Sequence, residues 1–313
     1  SKEKFPDWGF TPDADFPLIN GEKGVLVFSL AKKFTPTRSE GLELRSLKGG
    51  TAPNSVPDSC RVVVNSPKTE KYDEIKDKIV QYRERTGHKL NFRGMGKSLE
   101  ITASGKAAHG AHPEKGLNAV SVMMDFLGEL NFVSEDVNDF ISFYNKYIGF
   151  CLDGEDMGIG LSDEKSGKLI FNLGIAEIDK EAGRLGINVR YPVTCSEEEV
   201  YGGMEELLTR YEIGLIKEDH KPPVYFDADS GLAKTLLNVY QKHTGDSDSK
   251  PLVIGGGTYA RAARGIIAYG AIFPGDEDRM HQRDEYIEIS RLIQMTKIYA
   301  EAIYKLSSEE YNV

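Results

Sequence analysis

The chain has 313 residues, enough for two ordinary domains or one large α/β unit. Its composition, 40% hydrophobic and 28% charged, is that of a folded protein and excludes a disordered tail. With 39 basic residues against 49 acidic ones the formal charge is −10 and no basic run exists, which argues against nucleic acid or an anionic membrane as the main partner.

Taken in chain order, residues 9–17 carry Pro12, Pro17, Asp13 and Asp15 and read as a loop or strand edge. A short buried strand is expected at 25–29, with further strands at 42–47 and 61–64 separated by a turn-rich stretch at 49–57. A helix begins near Thr69, which can cap it. Tyr72, Ile75, Ile79 and Tyr82 share one face of it, and Gly87 supplies a left-handed stop. Leu99, Ile101 and Ala103 alternate as in a half-buried strand, and 118–130 reads as a helix. Two strands at 169–178 and 185–191 are joined by a turn at 179–183. A helix with a Ser196/Glu199 capping box follows, then a strand near 211–216. This succession is β-α-β-β-α-β, the ferredoxin-like split unit, with an extra helix inserted at 136–147. The earlier strands and helix are expected to form a second, degenerate unit beside it, without a sequence repeat.

After Lys221-Pro-Pro223 the pattern changes. A helix at 232–243, a strand at 252–254, a glycine run, a strand at 266–273 and a terminal helix at 287–306 alternate as a parallel α/β layer would. The expected architecture is α/β. Residues 1–23 and 222–313 form part of one α/β domain, and residues 24–221 are a large α+β domain inserted in it.

The run from Gly255 to Ala260 matches G-x-G-x-x-A after a strand, and Asp276 lies about 20 residues on, as in a dinucleotide fingerprint. Only seven residues separate Gly257 from Gly265, however, too few for a crossover helix. Backbone amides aimed at a substrate carbonyl or carboxylate are the preferred use of this turn; a tight turn without a ligand stays open. None of the six histidines begins an H-x-D, H-x-H or HExxH motif. His109 and His112 lie in a small-residue loop between a strand and a helix. His281 follows the last predicted strand, at the edge where open α/β sheets place ligands. Cys60, Cys151 and Cys195 form no CxxC pair, the usage of a reducing cytoplasm. No apolar stretch reaches the ~20 residues of a membrane-spanning helix, and residues 1–10 carry no signal-peptide core.

The string Gly105-Lys-Ala-Ala-His-Gly-Ala-His-Pro-Glu-Lys-Gly-Leu-Asn-Ala119 resembles the lid-domain signature of the dinuclear-zinc metallopeptidases that include aminoacylases, carnosinases and bacterial dipeptidases. Five further segments resemble the PepV-like dipeptidase branch and run in family order. They are Thr11–Pro17 with Gly21-Glu-Lys-Gly24, the Gly49…Pro57 stretch around Asn54, Val189-Arg-Tyr-Pro192, Gly256-Gly-Thr-Tyr-Ala-Arg261, and Phe273-Pro-Gly…His281. The resemblance implies a cytoplasmic dipeptidase acting on short peptides with a free C-terminus, holding two zinc or manganese ions and working as a monomer. Asp13 would be a carboxylate ligand to one metal and His281 the imidazole ligand to the other. Asn54 and His109, from the lid, would reach the scissile carbonyl and its oxyanion, and Arg190 would hold the substrate carboxylate. Gly256, Gly257 and Thr258 would line the substrate channel.

Members of that family carry further site residues upstream of the Asp13 segment: an H-x-D histidine, a bridging Asp and a Glu-Glu pair. No histidine here is followed by x-Asp, and the Glu-Glu pairs ending at Glu199, Glu206 and Glu310 fall in helix or tail contexts. The resemblance therefore corresponds to the C-terminal two-thirds of a member. The expectation is a truncated chain, short of its general base and most ligands, catalytically silent and poor in zinc when alone. Two other classes stand beside it: a non-catalytic peptide-binding module, and a nucleotide-binding protein using the Gly255 turn.

Overall fold

The computed structural model describes residues 8–37, 40–277 and 284–308. The chain divides into two compact units, one of residues 1–23 with 223–313, the other of residues 24–222.

The first unit opens with β1 (Gly9–Thr11), β2 (Ala14–Asp15) and β3 (Ile19–Glu22). The second carries β4 (Gly24–Lys33), β5 (Glu43–Gly49), β6 (Ser59–Asn65), α1 (Glu70–Thr86), β7 (Lys89–Met95), β8 (Ser98–Ser104), α2 (Ala119–Leu127) and α3 (Glu135–Tyr147). It continues through the short β9 (Ser162–Asp163) and β10 (Gly167–Lys168) to β11 (Ile170–Asp179), β12 (Ala182–Tyr191), α4 (Glu197–Arg210) and β13 (Gly214–Lys221). The first unit then resumes with β14 (Val224–Tyr225), α5 (Gly231–Thr244), β15 (Leu252–Ile254), β16 (Ile266–Ala268), β17 (Ala271–Ile272) and α6 (Ile289–Leu306). The mixed α/β class is as expected.

The second unit is built on one eight-stranded antiparallel sheet in the order β13-β4-β12-β11-β5-β6-β8-β7. Its β13-β4-β12-β11 half has the fourth-first-third-second strand order of a ferredoxin-like unit. The first strand of that unit is β4, not the Leu99–Ala103 strand the sequence reading chose. Its first helix is α3, whose Phe140 packs edge-on against Phe34 and would clash with any Cβ at Gly183 of β12. The supposedly inserted helix is thus integral. The strand containing Leu99 is β8, which pairs with β6 and β7 in the other half, under α2. Local pattern could not reveal this, because both halves offer a strand followed by a helix and only sheet pairing tells them apart.

Local chemistry explains most boundaries. Ser196 and Glu199 complete the expected capping box of α4, Asn118 caps α2 through Val120 and Ser121, and Gly87 ends α1 with φ 73°. Thr69 sits at the N-cap of α1 without a side-chain hydrogen bond. The strand expected near 211–216 begins only at Gly214, since Tyr211 still closes α4. β7 escaped the sequence reading because it is an edge strand with one buried residue, Leu90, and so lacks alternation. The core of the unit runs from Leu26 to Ile213 and includes Tyr82, Phe126, Tyr144 and Phe171.

In the first unit β1 runs parallel to β16, and β15 runs parallel to β3. β16 meets β3 antiparallel, so this is a mixed sheet and not the parallel layer that alternation suggested. The expected strand at 266–273 is two strands, broken by Gly270 at φ 79°, where any Cβ would collide with Phe16 and Tyr299. Phe16, Tyr240, Tyr269 and Phe273 form an aromatic core against α5 and α6.

Candidate functional site

The loops carrying Asn54 and His109 meet in the second unit. Asn54 follows β5 in an exposed turn, and His109 lies exposed in the loop between β8 and α2. Their backbones are laced together. Gly110 N–H donates to Asn54 O at 2.7 Å, Val56 N–H donates to Ala108 O at 2.9 Å, and Ser55 and His109 form an isolated bridge. The approach is close enough that a Cβ at Gly110 would lie 2.9 Å from Asn54 O, so only glycine fits. His109 Nδ1 accepts the Ala111 N–H at 3.2 Å, which in the neutral ring assigns the proton to Nε2. His112 instead pairs with Glu114 on the surface at 3.3 Å, both side chains 57% exposed.

Arg190 stands near the end of β12, between Ile170 of β11 and Val25 of β4, and is only 5% exposed. Tyr191, next in the strand, reaches His220 Nε2 at 2.8 Å, and His220 Nδ1 faces Glu197 at 3.3 Å. Gly24 lies opposite Tyr191, where a Cβ would fall 2.0 Å from the ring.

In the first unit Asp13 lies between β1 and β2, and its Oδ2 accepts the Tyr259 N–H at 2.7 Å. It lines a cleft of about 430 Å³ with Asp276, Glu277, Glu285, Glu288 and Arg291. Asp276 is paired with Arg291 at 2.6 Å. His281 lies outside the described residues. Among the described residues no group of three His, Cys, Asp or Glu side chains could hold a metal ion. Asp13 by itself falls short of the three protein ligands a catalytic zinc takes, so the described residues do not by themselves make a metal centre.

Gly256, Gly257 and Thr258 form the turn after β15. Thr258 Oγ1 donates to Glu22 Oε1 at 2.5 Å and accepts the Ala260 N–H at 3.1 Å, so its hydroxyl is engaged within the turn. A four-residue 3₁₀ helix, Tyr259–Ala262, follows instead of the crossover helix a dinucleotide fingerprint requires. Sequence reading missed the side chains that hold this turn. Glu22, whose side chain is 3% exposed, accepts from Thr258 N and contacts Arg261 Nε at 2.5 Å, and Arg261 also donates to Lys23 O at 2.7 Å. A lone acid at the end of the otherwise neutral strand β3 was the available signal.

The sequence model of peptidase family M20/M25/M40 matches residues 9–305, and the chain belongs to that family of hydrolases. Several relatives carry the name "Putative dipeptidase", two of which represent them. One, from Staphylococcus epidermidis, is 37% identical over 317 residues, covering 98% of this chain and 66% of its own. The other, YtjP of Bacillus subtilis, is 35% identical over 97% of this chain and 65% of its own. The chain thus spans about two thirds of the length of these curated relatives. The comparison does not show the expected silence or the missing base and ligands. Among solved structures, aminoacylhistidine dipeptidase from Vibrio alginolyticus covers 96% of this chain and 64% of its own, at 15% identity and a TM-score of 0.48. Membership in the family supports a metal cofactor in general terms. Among the described residues no helix is long and apolar enough to cross a membrane.

Proposed function

We propose that this chain serves the hydrolysis of dipeptides and short peptides that carry a free C-terminal carboxylate. The observation that carries the reading is the laced pair of loops bearing Asn54 and His109, for the backbone pairing sets both residues on one hydrogen-bonded base. Donors held in advance of the reaction are what a developing oxyanion needs. In this reading residues 24–221 are the lid and residues 1–23 with 222–313 belong to the catalytic domain. Arg190 receives the substrate carboxylate, where a planar guanidinium gives a bidentate grip. Gly256, Gly257 and Thr258 border the substrate. Asp13 and His281 are the residues of this chain that would hold metal, zinc first and manganese second. The protein is proposed to work in the cytoplasm as a monomer, with no nucleic acid or membrane partner; three free thiols and the net acidic charge support the first and third points.

A second reading, a peptide-binding module without hydrolytic chemistry, is favoured by one observation, the lack of a three-ligand group among the described residues. One experiment separates the two. Purified chain is supplied with zinc or manganese and incubated with Xaa-His and Xaa-Leu dipeptides and their C-terminal amides, with binding and amino-acid release both measured. Metal-dependent release from the free acids and not the amides is expected. Binding of the acids with no release under either metal would establish the module instead.

A further inference from the structure

We propose that Asn172 is a positioning residue that holds the Asn54 and His109 loops in one arrangement; what that pair acts on rests on the functional reading above. Asn172 lies on β11, directly opposite Asn188 of β12, and the two are 2% and 1% exposed. Its carboxamide Nδ2 donates to Pro53 O at 2.7 Å and to Ser55 O at 3.2 Å. These are the carbonyls of the residues on either side of Asn54, so one buried amide grips the turn on both flanks.

The surroundings make this grip possible. Two residues further on, a Cβ at Gly174 would fall 2.3 Å from Ala52 O and 2.4 Å from Pro53 O, so β11 and the turn meet backbone to backbone. Gly50, at φ 73°, has its own absent Cβ 1.9 Å from Gly174 O, which closes the other side. The β11–β12 register shifts between Leu173 and Ile175, at the same place. From the gripped turn the fixation passes to the second loop, because Asn54 O receives the Gly110 N–H and Val56 N–H meets Ala108 O on the two sides of His109. Loops of small residues have little side-chain packing of their own, so the buried donor supplies their anchorage. Its loss would leave the Pro53 and Ser55 carbonyls without it and let the turn move, and a shift of well under 1 Å spoils a preorganised pair.

The test compares wild type with Asn172→Ala, Asn172→Asp and Asn145→Ala by NMR, reading the His109 ring resonances and the exchange rate of the Gly110 amide. Asn145, half-buried, donates Nδ2 to Met124 O at 2.7 Å between α3 and α2 and controls for loss of a side-chain amide that holds a backbone carbonyl elsewhere in the unit. Both Asn172 variants should shift the His109 resonances and speed Gly110 exchange by about tenfold or more. Asn145→Ala should lower Tm and leave both readouts in place. Asp keeps the shape while removing the donor, so it carries the test if the Ala variant does not fold. With dipeptide as substrate, kcat should fall at least about tenfold in the Asn172 variants while KM stays within about twofold. A wild type without hydrolysis would sink the functional reading and leave the NMR comparison to decide the positioning role. His109 and Gly110 signals unchanged by both Asn172 variants, or moved as much by Asn145→Ala, would overturn the proposal.

Discussion

Arg190, His109, Glu22 and Cys60 show how differently four side chains of one chain are used. At Arg190 the replacement by Lys keeps the charge and loses the planar fork. KM for dipeptides should rise about tenfold or more, equivalent to about 1.5–3 kcal/mol, and C-terminal amides should lose little. Steady-state kinetics on matched acids and amides checks this, and an unmoved KM would remove Arg190 from the site. His109→Ala should lower kcat by about 10²–10³ with KM less affected, because its partner is charge that forms in the transition state. Glu22 belongs to a different class. Its side chain is 3% exposed and its partner Arg261 14%, so Glu22→Ala strands a buried cation and should cost on the order of 3–5 kcal/mol in denaturant unfolding. A variant as stable as wild type would show that the glycine turn is held by something else. Burial, outweighing a backbone hydrogen bond from Arg61, pushes the Cys60 thiol up to about 12. A thiol reagent at pH 8 should therefore label the half-buried Cys151 and Cys195 and spare Cys60 until the protein unfolds.

Among the elements, the α5 terminus offers a pH-dependent anchor. Asp246 accepts from the Ser249 hydroxyl and amide, and from Tyr240 of the core, and these bonds, the Ser249 hydroxyl first, hold its carboxyl at about 2, down from 3.8. A carboxyl depressed in the folded state contributes stability above its unfolded value near 3.8 and loses that contribution as pH falls through about 2. An NMR titration of the Asp246 carboxyl and the Ser249 amide should give coincident midpoints near the lower value; a midpoint near 3.8 would mean the anchor is not formed. The α4 cap is a simpler case. Ser196→Ala removes the side-chain half of the capping box and should destabilise the second unit by about 1 kcal/mol. The start of β4 is less forgiving, since Gly24→Ala drives a methyl into the Tyr191 ring and must displace it from His220.

At the level of the whole molecule, the two units have separate cores. One runs from Leu26 to Ile213 within residues 24–222, and the other gathers Phe16, Leu18, α5, Tyr269 and α6. A fragment of residues 24–222 should therefore unfold cooperatively by itself, with dispersed NMR spectra and the Gly110 amide as protected as in the full chain. A fragment with molten-globule behaviour would show that its core is completed from outside.

The element types of this chain were largely legible in its sequence. Caps and breakers act within a few residues, so Ser196 with Glu199, Asn118 and Gly87 mark helix ends whatever surrounds them. Long strands such as β11 and β12 declare themselves by apolar runs, and the order of the Asn54, His109, Arg190 and Gly256 motifs pointed to a peptidase family. Sheet order was not legible, because a strand's neighbours are chosen by pairing across more than a hundred residues, as between β4 and β12. The same distance hid Asn172 from Pro53 and Glu22 from Arg261. Such buried polar contacts join residues that no local spacing relates, and only the folded chain, which leaves a buried donor or carboxylate no water to turn to, makes them partners.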